Sequence, residues 1–120
     1  MAEIPERAAA LLLDMVLAAR DAQGFVAGLD KAAFLASRLH QNAVIRSLEV
    51  IGEAANTLTP ECRAALPDIP WRDIIGLRHR LIHGYAEVRL DRVWTIVQTD
   101  LAPLVAALEP LIPPDEPGGL

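Results

Sequence analysis

From Ile4 onward, apolar residues recur at Ile4, Ala8, Leu11, Leu12, Met15, Val16 and Ala19, the three-and-four spacing that draws one apolar stripe along an α-helix. The pattern stops at GFVAGLD, where two glycines interrupt it. A second pattern opens at Asp30, a suitable N-cap, and runs with few breakers to Leu58. Val44, Leu48, Ile51, Ala55 and Leu58 share its stripe, and residues 40–42 offer a candidate break. TPECRAALP predicts a short helical turn: Thr59 can cap it, Pro60 suits the first helical position and Pro67 ends it. The next helix begins after Pro70 at Trp71, carries Ile74, Ile75, Leu77, Leu81 and Ile82, and meets a stop at Gly84. A last pattern starts near Asp91 with Val93, Trp94, Val97, Leu101, Leu104, Val105 and Leu108 facing inward. Pro103 kinks or splits it around Asp100.

No segment alternates with period two for long enough to make a strand, and no internal repeat is visible. The predicted fold is therefore all-α, a compact bundle of about five or six helices occupying residues 1–112 as one domain. Residues 113–120, PPDEPGGL, hold little that can pack and are expected to be a disordered tail.

Composition adds limits. The 120 residues are 52% hydrophobic, enough for a real core in a domain small enough that a partner surface would help it. No apolar run reaches the roughly 18 to 20 residues that cross a bilayer. AAALLLDMVLAA is interrupted by Asp14 and preceded by Glu3, Glu6 and Arg7, unlike a secretory signal. A cytoplasmic protein with no membrane partner is expected. Cys62 is the only cysteine, which excludes an intrachain disulfide and a multi-cysteine zinc site, and is read as an ordinary half-buried thiol.

The net charge of −5 argues against general coating of nucleic acid. Residues 71–90, however, set four arginines (Arg72, Arg78, Arg80, Arg89) against Asp73 and Glu87, a local balance of +2 that leaves −7 elsewhere. A basic island on an acidic body suggests a small, defined anion site.

That island contains RHRLIHGY, residues 78–85. His79 and His83 are four apart, the spacing of zinc proteases, but Arg80 stands where the glutamate base belongs and no clear third ligand is nearby, so a metal reading fails. Arg78 and His83 are five apart and hence separated by about 140° around an ideal helix. Either the helix ends before His83 or a second copy of the chain completes a site. The plainer alternative is that these cations stabilise the helix C-terminus through its dipole, with Tyr85 covering the core.

Arg46 and Glu53 lie seven apart on one face, and Glu53 sits in IGEAA among small and apolar residues, where a carboxylate needs a partner. A structural Arg46–Glu53 or Glu53–Arg78 ion pair is expected before a catalytic carboxylate, and such a pair could orient Arg78. Gly52 in mid-helix invites close approach of another backbone.

IRSLEVIGEAANTL, followed by IPWRDIIGLRHRLIHGY and VWTIVQTDLAPL, resembles the HEPN superfamily, and within it the HepT-like toxins encoded beside a minimal nucleotidyltransferase antitoxin. The similarity spans about residues 4 to 112. The family motif is an arginine, a polar residue, three further residues and a histidine, with a tyrosine two beyond; Arg78, His79, His83 and Tyr85 occupy those positions.

The resemblance implies an all-helical, metal-independent endoribonuclease toxin of a type II/VII-like toxin–antitoxin pair, with no cofactor. Its site would lie in the cleft of a symmetric homodimer, and the partner nucleotidyltransferase would neutralise it, with AMP transferred to Tyr85. RNA supplies its own 2′-hydroxyl nucleophile, so cleavage needs a base, an acid and a cation for the phosphate. His83 is the expected acid or base because imidazole changes charge near neutral pH. Arg78 would hold the scissile phosphate through its guanidinium fork. Tyr85 would contact substrate or accept AMP, and Glu53 and Arg46 would support the site. The chain departs from its relatives at His79, where asparagine is usual, so His79 has either a supporting polar or a second acid–base role. A rival reading is a non-catalytic helical module that binds and regulates the nucleotidyltransferase.

Overall fold

The computed structural model describes residues 4–84 and 88–113. Those residues form an all-α fold of seven helices: α1 (Glu6–Phe25), α2 (Lys31–Leu35), α3 (Arg38–Thr57), α4 (Pro60–Ala64), α5 (Trp71–His83), α6 (Leu90–Thr99) and α7 (Leu101–Leu108), then a 3₁₀ turn at Glu109–Leu111. Tyr85 and residues 114–120 of the expected tail lie outside the described residues.

Most boundaries follow local chemistry. The Asp30 side chain caps α2 by accepting from the Ala33 N–H, and Thr59 caps α4 from the Cys62 N–H, with Pro60 at its first position. The last predicted helix divides at Asp100 into α6 and α7, three residues before Pro103. The pattern opening at Asp30 also divides, but at Ala36 and Ser37 rather than at residues 40–42. Two side chains account for the position. Ser37 Oγ accepts from the His40 N–H at 3.3 Å and so begins α3. Gln41, buried, donates through Nε2 to the Phe34 and Leu35 carbonyls, each at 3.0 Å, and so satisfies the end of α2.

Gln41→Leu leaves both carbonyls without that donor. It is expected to cost about 1–2 kcal/mol, read as a lowered urea midpoint with an unchanged slope.

α3 is the central element. α1 packs along one side of it, α5 along another, and α7 packs on α1. The core joins Leu12, Met15, Val16 and Ala19 of α1 to Val44, Leu48, Ile51 and Ala55 of α3 and to Val97, Leu101, Leu104 and Leu108. Phe34 meets Trp94 with ring centroids 5.4 Å apart, which ties α2 to α6. Cys62 is free and half-buried. No helix among the described residues is long and apolar enough to cross a membrane.

Candidate active site

Pro70 and Trp71 start α5 as expected, and the Trp71 indole N–H donates to the Leu66 carbonyl at 2.9 Å, anchoring the helix to the loop before it. Leu81 is buried, while Ile74 and Leu77 pack against the core from half-buried positions. This leaves Arg78 directed at α3. At the crossing stands Gly52: a Cβ added there would overlap the Arg78 Cβ and lie 3.1 and 3.2 Å from Cγ and Cδ. The arginine stem therefore lies on the bare α3 backbone. The expected close approach at Gly52 is made by a side-chain stem.

Arg78 is half-buried. Its Nε is fully buried and has no hydrogen-bond acceptor among the described residues. A buried guanidinium N–H without an acceptor is a costly arrangement, and an anion such as phosphate relieves that cost.

α5 runs through His83, and the Gly84 N–H closes it on the Arg80 carbonyl at 2.9 Å. The helix thus does not end early enough to swing the His83 imidazole round to Arg78, and the separation of about 140° stands. Instead His83 meets His79. Both are exposed, with ring centroids 4.5 Å apart and planes tilted by 47°.

The basic island is partly neutralised. Arg89 Nη2 lies 3.4 Å from the Asp91 carboxylate. Desolvation works against ionisation of Asp91, but the Arg89 charge and the Arg92 backbone N–H outweigh it and hold this carboxyl below its usual range. Arg72 and Arg80 are exposed and form no ion pair among the described residues.

Neither of the expected ion pairs through Glu53 is formed. The ion pairs among the described residues are Arg20–Glu109 and Arg89–Asp91. Glu53 is exposed, since it lies about 100° around α3 from Gly52, clear of both the core and Arg78. Arg46 lines a separate groove of about 410 Å³ between α1 and α3, with Asp14, Leu17, Asp21 and Phe25. Glu49, half-buried, was not singled out from the sequence, yet it lies about 60° from Gly52 on the flank shared with Glu53. The signal for it was its three-residue spacing from Gly52.

The site thus sets a guanidinium laid against α3 beside two solvent-facing imidazoles of α5, one on the adjacent residue and one on the next turn. It can bind an anion and move protons. The family model for HepT-like ribonucleases matches residues 15–111. An RNase candidate of Methanocaldococcus jannaschii is 34% identical over 100 residues, covering 83% of this chain and 92% of the relative. A probable ribonuclease HepT of Thermococcus cleftensis is 38% identical over 78 residues, 65% of this chain and 71% of the relative. An RNase candidate of Caldanaerobacter subterraneus is 34% identical over 79 residues, 66% of this chain and 70% of the relative. No solved structure matches the chain.

Proposed function

The chain belongs to the HepT-like ribonuclease family, and we propose that it is a metal-independent endoribonuclease that cleaves RNA through Arg78 and His83. The observation that carries this reading is the Arg78 guanidinium, with a buried Nε that has no acceptor among the described residues, beside exposed His79 and about one turn from exposed His83. Arg78 binds the scissile phosphate and offsets the charge that grows on its oxygens. His83 moves a proton, as base for the 2′-hydroxyl or as acid for the departing 5′-oxygen. Attack by the 2′-oxygen then gives a 2′,3′-cyclic phosphate and a 5′-hydroxyl.

The working unit is a homodimer. Arg78 and His83 diverge by about 140° on one helix, so closing a site around one phosphate takes groups from a second copy. Exposed Leu17, Phe25, Leu39 and Ile82 supply apolar surface for such a contact.

In the cytoplasm the chain acts as the toxin of a toxin–antitoxin pair, held in check by a minimal nucleotidyltransferase. AMP on Tyr85, two residues beyond His83 in sequence, would add bulk and negative charge to the motif and repel RNA. The support is the sequence position of Tyr85.

The test is incubation with total cellular RNA in excess EDTA, using protein whose intact mass shows no added AMP, beside a mock purification. The expected result is cleavage in the protein sample alone, with cyclic-phosphate and 5′-hydroxyl ends. Intact RNA after incubation with folded, unmodified protein sinks the reading.

A further inference from the structure

We propose that His79 is a second catalytic acid–base residue, so that His79 and His83 divide the two proton transfers of RNA cleavage between them from a single turn of α5. This rests on the ribonuclease reading above and adds to it the identity of the second proton carrier.

The three histidines of the chain are used differently. The His40 ring is engaged at 2.6 Å by Ser37 Oγ, at the start of α3. The His79 and His83 rings have no hydrogen bond and no ion pair among the described residues, and their centroids are 4.5 Å apart. Both are exposed, so neither fills the core nor satisfies a buried group. An exposed ring pair of this kind adds little to stability. It does set two imidazoles, the side chains most used for general acid–base catalysis, side by side on one face of α5.

The charged neighbours suit that role. On α5 itself these are Arg72, Asp73, Arg78 and Arg80; on α3, packed against it, they are Arg46, Glu49 and Glu53; and on α6 and the residue before it, which share a pocket with α5, they are Arg89, Asp91 and Arg92. None of the three α3 groups forms an ion pair among the described residues.

The step balances. One imidazole, neutral, takes the 2′-hydroxyl proton as the 2′-oxygen bonds to phosphorus. The bond from phosphorus to the 5′-oxygen breaks with its electron pair on oxygen, and the other imidazole, protonated, gives that oxygen its proton. The pair ends with its proton states exchanged and its total charge unchanged, and exchange with water restores it.

The test compares His79→Asn, which keeps a polar side chain but cannot exchange protons, with the parental chain over a range of pH. The parental kcat/KM is expected to follow a bell, and His79→Asn to lose about 100-fold together with one limb of the bell, at an unchanged melting temperature. Added imidazole should restore part of the activity of His79→Ala. If His79→Asn cleaves within about threefold of the parental rate with both limbs intact, His79 is a polar support only and the inference is overturned. A parental chain that leaves RNA intact overturns the ribonuclease reading instead, and the pair's role with it. An active parental chain beside an equally active His79→Asn overturns the pair alone.

Discussion

Chains carrying His83→Ala or Arg78→Ala are expected to cleave RNA about 10³-fold more slowly than the parental chain, with opposite consequences for stability. His83 is exposed at the last position of α5, and its ring centroid lies 4.5 Å from that of His79. Truncating it opens no cavity and strands no buried group, so the melting temperature should hardly move while a proton-transfer group is lost. Arg78 is different because its stem lies on α3 at Gly52. Removing it deletes packing as well as charge, and Arg78→Ala should both fail in catalysis and melt earlier.

Arg78→Lys separates the two roles. Lysine keeps the charge and most of the stem but not the planar fork or its Nε, so stability should be nearly retained while kcat/KM falls about 100-fold. Single-turnover cleavage rates beside thermal melts followed by circular dichroism check all three variants. Parental activity in folded His83→Ala would remove the imidazole from the mechanism.

How much of this was legible in the sequence depends on the range of the forces involved. The limits of α5 came from Pro70, Trp71 and Gly84, and the division of α6 from α7 from Pro103, because each signal acts within a turn of its own residue. The break between α2 and α3 was misplaced because Ser37 reads equally well as an ordinary polar position inside a helix. What makes it a boundary is the pair of bonds from Gln41 back to the α2 carbonyls, which no periodicity reveals.

Glu53 misled for another reason. Its neighbours in sequence, Gly52, Ala54 and Ala55, are buried, but a helix turns about 100° per residue and carries the residue between them out to solvent. The motif residues Arg78, His79 and His83 were visible as a group. The half-buried guanidinium of Arg78 was not, since it depends on which α3 residue faces α5. Gly52 and Arg78 are 26 positions apart, and only the packed helices join them.

That junction supports the last prediction, that Gly52→Ala destabilises the chain against the sign of helix propensity. Glycine to alanine inside an exposed helix normally gains about 0.8–1.0 kcal/mol. Here the added methyl would overlap the Arg78 Cβ, the one side-chain atom that no rotamer can move away. The contact is relieved only by pushing α5 off α3, its principal neighbour. Overpacking of this kind costs roughly 1–3 kcal/mol or more. A net loss of about 2 kcal/mol, or roughly 5–12 °C in melting temperature, is expected, with reduced RNA cleavage because Arg78 is displaced. The second-site variant Arg78→Gly removes the opposing Cβ. The double variant should therefore recover part of the stability lost in Gly52→Ala but none of the activity, a coupling that a double-mutant cycle measures directly. If Gly52→Ala instead melts above the parental chain, propensity has won and the helices do not approach each other at this point.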